Sequence, residues 1–285
     1  MRFEKWQALG NDYLLVEADA LTFEPQAPAI RTLLARHTGI DADGLIVLHR
    51  DPEPDVVARL EIYNPDGSRA ELSGNGARQA IIYLRTRGWT DADEFVVRTD
   101  AGLLRPTITG PDSCTVDMGS AALASADFPS GTPDGRGAVD SGGRSWEFQH
   151  VSIGNPQCAI HVSDEAQLAA LDLPAIGPAI EGAAIFPNRS NVSWYSERSP
   201  EEIRARIFER GVGETLSSGT GATGAAIAHL TRLGRTSGSV RVVLDGGTLL
   251  VTVDGDLRVD LAGWARPVYA GTLAPELEKE IHAAQ

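Results

Sequence analysis

Cysteine is almost missing from this sequence: Cys114 and Cys158 are the only two in 285 residues. Two are too few for a disulfide framework, and they lack metal-ligand spacing, so both are expected to be ordinary strand or core residues and no metal site is expected. Long apolar runs are missing too. No stretch approaches the roughly 20 apolar residues that a membrane helix needs. The N-terminus, MRFEKWQALGNDYLLVEADA, mixes charged with apolar residues and has no small-residue cleavage site, which argues against a signal peptide. A soluble cytoplasmic protein with no membrane partner is expected. Net positive charge is the third deficit: the formal charge is −14 and the pI about 4.8. Such a chain repels a phosphate backbone, and no basic stripe breaks the balance, so nucleic acid is excluded as a partner. The same field repels an anionic small molecule at long range, so any such ligand needs a local positive site.

What is present is enough apolar material to build a core, 42% of the chain, and a length suited to two medium domains. Short apolar or alternating runs bounded by Gly, Pro, Asn or Asp predict strands at Tyr13 to Val16, Gly44 to Leu48, Val57 to Tyr63, Phe95 to Arg98 and Cys114 to Met118. Further strands are predicted at Trp146 to Ile153, Ala159 to Val162, Asn191 to Tyr195, Ile203 to Phe208, Ser239 to Leu244 and Thr248 to Val253. Helical periodicity marks Ala29 to Arg36 with Pro28 at its start, Gly76 to Arg87, Thr220 to Leu233, and Ala166 to Ala170 with its flanks. The sum is an α+β protein. A stretch rich in Ala, Ser, Gly, Asp and Pro, Ala122 to Gly143, interrupts the strand pattern and is the candidate lobe boundary.

The chain also repeats itself. Ser73-Gly74-Asn75-Gly76-Ala77 and Ser218-Gly219-Thr220-Gly221-Ala222 share the pattern S-G-x-G-A about half the chain apart. Each follows a strand-like run and a turn, and each opens an apolar helix, so a duplicated lobe is the simplest explanation. The first turn of a helix presents backbone N–H groups without intrahelical partners and the positive end of the helix dipole, which together welcome an anion. Glycines there let a carboxylate or phosphate approach the backbone closely. The alternative is that Ser73 and Ser218 are plain N-caps and the glycines only permit tight packing. Neither motif ends in the Gly-Lys-Ser/Thr of a phosphate-binding loop, and dinucleotide spacing is absent, so no phosphate cofactor is expected.

With these residues in view, the chain resembles the diaminopimelate epimerase family. ALGNDYLLVEA, GIDADGL, YNPDGSRAELSGNGAR, SIGNPQ, FPNRSNV, FERGVGETLSSGTGA and DGGTLLV are similar to its signature blocks, in order, over nearly the whole sequence. The resemblance implies two pseudo-symmetric lobes, each a curved mostly antiparallel sheet or barrel around a central helix. The N-terminal lobe would comprise residues 1–120, completed by 266–285, and the C-terminal lobe residues 121–265. Family members epimerise one α-carbon of LL-diaminopimelate to the meso form without cofactor or metal, using two thiols as base and acid. Those positions are Ser73 and Ser218 here. By the same matching, Asn11, Asn64, Asn155, Asn191 and Arg210 hold the substrate. Gly74, Asn75, Gly219 and Thr220 present backbone amides to the reacting carboxylate, and Glu209 lies beside the reactive pair. A homodimer is a further family expectation.

Arginine suits bidentate carboxylate binding and supplies the local positive charge that an acidic protein needs. The asparagines alone would read as turn formers, since Asn64-Pro65-Asp66-Gly67 and Asn155-Pro156 are good turn sequences. Serine at both acid–base positions is the departure that matters. A thiol, with pKa about 8.5, is readily tuned to thiolate near neutral pH, whereas a serine hydroxyl needs a neighbouring base. The residue after Asn155-Pro156, usually histidine in the family, is Gln157, whose amide cannot accept a proton. Slow or absent epimerisation is therefore expected, with Glu209 the remaining base. Two other readings stay open: a proline racemase or hydroxyproline dehydratase of the same fold, against which Arg210 and Asn64 argue, and a non-catalytic amino-acid binder.

Overall fold

The computed structural model describes residues 1–285. The chain forms two compact units, Met1–Val116 together with Gly263–Gln285, and Asp117–Ala262.

The first unit runs β1 (Arg2–Ala8), β2 (Asn11–Glu17), α1 (Ala27–Leu34), β3 (Leu45–His49), β4 (Ala58–Tyr63), β5 (Arg69–Ala70), α2 (Gly74–Thr86), β6 (Val97–Thr99), β7 (Gly102–Leu104) and β8 (Thr107–Gly110). β9 (Ser113–Ser120) leaves it. The second unit continues with β10 (Arg136–Ser141), β11 (Arg144–Ser152), β12 (Pro156–His161), α3 (Glu165–Ala169), α4 (Leu173–Glu181), β13 (Asn191–Ser199), β14 (Glu202–Glu209), β15 (Gly213–Thr215), α5 (Gly219–Arg232), β16 (Gly238–Leu244) and β17 (Gly247–Val253). β18 (Arg258–Trp264) returns to the first unit, which ends with β19 (Arg266–Thr272) and α6 (Pro275–Ala283).

The internal echo in the sequence is an echo in topology. The first sheet has the order β19-β1-β2-β3-β4-β6-β7 with β5 attached to β4; the second begins β10-β11-β12-β13-β14-β16-β17, with β15 attached to β14, and continues through β18, β9 and β8. Over those seven strands and the attached one the orders coincide, including the parallel pairs β2 with β3 and β4 with β6, matched by β12 with β13 and β14 with β16. All other pairings among these matched strands are antiparallel, and both sheets are open-edged, so the sheet half of the "sheet or barrel" expectation holds and the barrel does not.

The pattern of burial explains why the central runs read as strands. β2 and β3 are buried along nearly their whole lengths, because Leu14, Val16, Leu45 and Val47 join Ile30 and Leu33 of α1 in one cluster while α2 lies against the same strands. Strands covered on both faces lose polar alternation. β16 and β17, covered on one face, keep it. α2 and α5 are buried nearly all round, which marks them as the helices their units are wrapped around.

Several elements differ from expectation. β1 hides in the charged N-terminus because its charges are satisfied at a distance: Arg87 donates twice to Glu4, at 2.8 Å each, and Lys5 pairs with Asp12 at 2.8 Å. β19 is exposed along most of its length, so it carries no burial signal. β10 lies inside the Ala122 to Gly143 stretch that was expected to interrupt the strands, and α4, β18 and α6 are further additions.

The second unit's core is centred on Trp194, fully buried and edge-on to Trp146 with ring centroids 6.2 Å apart. Trp194→Ala is expected to cost about 3–5 kcal/mol through lost contacts and the cavity left behind. Urea unfolding would show this as a lower midpoint, and an unchanged midpoint would contradict the packing described.

Candidate functional site

Each S-G-x-G-A motif is a capped helix start. Ser73 and Ser218 have extended backbones, and each side-chain oxygen accepts from the N–H three residues on: Gly76 to Ser73 Oγ at 3.0 Å and Gly221 to Ser218 Oγ at 3.3 Å. The cap satisfies the third amide of the turn. The amides of the two preceding positions, Gly74 with Asn75 and Gly219 with Thr220, have no acceptor within the helix, as is general for first-turn amides. The glycines divide in role. A Cβ at Gly76 would press on Ile46 Cδ1 at 3.1 Å, and one at Gly221 would meet Ile207 Cδ1 at 2.8 Å. Packing therefore accounts for the second glycine of each motif.

In the first unit, Asn11 is tied to α2. Its carbonyl accepts from Gln79 Nε2 at 3.0 Å, and Gln79 Oε1 accepts from the Tyr13 amide at 3.2 Å. The Asn11 side chain donates to Asp43 Oδ2 at 2.8 Å, which also accepts from the Asp12 amide at 3.0 Å. Burial pushes the Asp43 carboxyl up from its ordinary value, while the Asp12 backbone and Asn11 side-chain hydrogen bonds pull the other way. Asn64 instead closes its own turn, with its amide and Nδ2 both donating to Ser68.

Arg78, one helical turn beyond Asn75, was not singled out in the sequence although it ends the SGNGAR block. It is fully buried and donates through Nη2 to Asn75 Oδ1. Nε and Nη1 have no protein partner. Burial pushes the guanidinium down to about 10, against an ordinary value of 12.5, so it stays protonated at neutral pH at a cost on the order of 3 kcal/mol.

In the second unit a chain of amides runs to the start of α5. Gln157 Nε2 donates to Asn155 Oδ1 at 2.5 Å, and Asn155 Nδ2 donates to Thr220 Oγ1 at 3.3 Å. Gln157 is fully buried and its Oε1 has no protein partner. The turn after β14 is fixed from three sides. Asn191 Oδ1 accepts from the Arg210 amide at 2.9 Å, Asn188 O accepts from Arg210 Nη1 at 2.8 Å, and Glu181 Oε1 accepts from the Gly211 amide at 2.7 Å. Glu181 is itself buried and paired with Arg189 at 2.5 Å. Glu209 accepts from Thr215 Oγ1 at 2.7 Å. Hydrogen bonds thus join Asn155 to Thr220 and Asn191 to Arg210. Glu181, which lies in the sequence between recognised blocks, and Arg189, inside FPNRSNV, were not anticipated because only the fold brings α4 to this turn.

The histidines outside the motifs have local roles. His150 Nε2 meets Ser125 Oγ at 2.9 Å, and His161 packs edge-on to Tyr195. No group of three or more His, Cys, Asp or Glu side chains is placed to hold a metal ion, and no helix is long and apolar enough to cross a membrane.

Two units with one topology, each led into its buried helix by a serine cap, call for comparison with known proteins. The family model described as diaminopimelate epimerase matches residues 3–124 and 149–262. The chain belongs to the diaminopimelate epimerase family. It is 38% identical over 280 residues to the diaminopimelate epimerase of Pelotomaculum thermopropionicum, covering 95% of this chain and 98% of the relative. It is 37% identical over 276 residues to that of Teredinibacter turnerae, with the same coverage. Among solved structures, a phenazine biosynthesis protein of the PhzF family from Bacillus anthracis superposes with TM-score 0.68 at 17% identity, over 96% of this chain and 99% of that one. A hydroxyproline epimerase from Agrobacterium vitis, with bound trans-4-hydroxy-L-proline, gives TM-score 0.64 at 17% identity over 95% and 91%. At such identities these structures share the fold.

The Glu181 contacts make a sharp expectation for this epimerase-family chain. In Glu181→Ala the Gly211 amide loses its acceptor, and its hydrogen exchange should accelerate at least tenfold, with Glu181→Gln in between because an amide oxygen still accepts. Equal exchange in all three proteins would show that the turn is held by other means.

Proposed function

We propose that this chain binds LL-diaminopimelate and carries the cofactor-free, two-base apparatus that converts it to the meso form for lysine and peptidoglycan precursors, with serine in both acid–base positions. The carrying observation is the repeated serine-capped helix start, Ser73 on α2 and Ser218 on α5, in a member of this family. Taking the α-proton from an amino acid moves negative charge onto the adjoining carboxylate. Amides of Gly74, Asn75, Gly219 and Thr220 aimed at that carboxylate stabilise the charge as it develops. Arg210, with Asn11, Asn64, Asn155 and Asn191, binds the distal amino-acid end and so selects diaminopimelate over proline-type substrates.

Chemistry is where this chain falls short. Both serine oxygens accept a hydrogen bond from their helix, and a hydroxyl is a far weaker acid than a thiol at neutral pH. Gln157, held to Asn155, offers no titratable group, leaving Glu209 as the base for the second-unit serine. Substrate binding is therefore retained and turnover is slow. The buried, reduced cysteines and the absence of a spanning helix accord with work in the cytoplasm.

Exchange of the substrate α-proton in heavy water measures the chemical step directly. The unaltered chain should exchange slowly, and Ser73→Cys combined with Ser218→Cys should accelerate exchange by at least a hundredfold. Rapid exchange by the unaltered chain would refute the acid–base assignment. No gain in the double variant, despite calorimetric binding of LL-diaminopimelate, would favour the non-catalytic binder.

The same proposal includes a homodimer through β19. This strand ends its sheet with one edge unpaired, and Val268 and Tyr269 are exposed on it, 53% and 45%. A flat, partly apolar edge is a ready template for a second copy. Sedimentation should give a dimer that Val268→Asp with Tyr269→Asp converts to monomer; a monomeric parent protein would remove this part of the proposal.

A further inference from the structure

We infer that Arg78 is a fixed positive charge built beneath the start of α2, a positioning residue that makes this helix start select a carboxylate and renders it chemically unlike its counterpart on α5. The inference rests on the anion-binding role proposed above and assigns its selectivity to a residue outside the substrate-binding set.

The guanidinium is fully buried, and its titratable neighbour is Cys114, whose thiol is itself pushed up to about 12 by burial and so is neutral near pH 7. No carboxylate compensates it. Folding alone would be served better by an aliphatic side chain of similar length, because a buried charge without an opposite partner is costly. Helical side chains lean toward the N-terminus of their helix. Arg78 follows that rule: its Nη2 reaches back one turn to Asn75 Oδ1, while Nε and Nη1 stay without protein partners. The charge is thereby held beside the first turn, where it adds to the helix dipole, and the bond to Oδ1 orients the Asn75 side chain.

The duplication supplies an internal control. At the position in α5 that matches Arg78 stands Thr223, also fully buried, whose hydroxyl donates to Gly219 O at 3.0 Å. One helix start rests on a charge and the other on a neutral, self-satisfied hydroxyl.

The test compares the full-length chain with Arg78→Met and Arg78→Lys by thermal unfolding and by NMR titration of the Gly74, Asn75 and Gly76 amides, with acetate and LL-diaminopimelate as probes. In the parent chain both probes should shift these amides. Arg78→Met should keep or raise Tm while weakening both titrations at least tenfold, Arg78→Lys should restore part of the affinity, and the shifts at Gly219 to Gly221 should be less affected. A fall in Tm or loss of folding in Arg78→Met would make Arg78 a structural residue and overturn the inference, as would unchanged affinity or a parent chain whose amides ignore both probes. If acetate binds and LL-diaminopimelate binds no better, the substrate reading fails while the role of Arg78 stands.

Discussion

The first turns of α2 and α5, whose amides have no acceptor within their own helix, are the constraint around which each unit is organised. Both helices are buried almost all round, so neither can relocate its N-terminus without dismantling the sheet packed on it. A buried helix start must satisfy its amides with side chains, solvent or ligand. Here a serine takes the third amide and a packed glycine holds the turn against Ile46 or Ile207. The amides of the two preceding positions lack intrahelical acceptors and depend on groups outside the helix.

The surroundings of the two starts have diverged although their topology has not. In the first unit a buried guanidinium reaches Asn75 in the turn, Gln79 ties the Asn11 backbone to α2, and Asp43 orients the Asn11 side chain. In the second, neutral amides from Gln157 and Asn155 reach Thr220, and the charged groups lie on the neighbouring turn held by Glu181. Duplication fixed the backbone arrangement. The chemistry was then written separately on each copy.

The parts of the fold legible in the sequence are those where burial leaves an unambiguous pattern. Leu14 to Val16 and Leu45 to Leu48 read as strands because both faces are covered, and the two S-G-x-G-A motifs read as helix starts because capping is local. Family membership was legible for the same reason: its blocks are short and contiguous. β1 was obscured because Glu4 and Lys5 find their partners at Arg87 and Asp12, and β19 because an exposed edge strand has no periodicity to detect. In the candidate site, Asn155, Asn191 and Arg210 could be named from their blocks, but the bonds from Asn155 to Thr220, Arg210 to Asn188 and Gly211 to Glu181 are made across the fold. Arg78 stood in plain view beside Asn75. What the sequence could not supply was that its guanidinium is buried without a carboxylate.

The proposal that the first turn of α2 receives the substrate carboxylate is tested most directly by a crystal structure of the unaltered chain with LL-diaminopimelate. It predicts one carboxylate of the ligand accepting hydrogen bonds, about 2.7–3.2 Å long, from the Gly74 and Asn75 amides. A ligand carboxylate bound away from this helix start would contradict it.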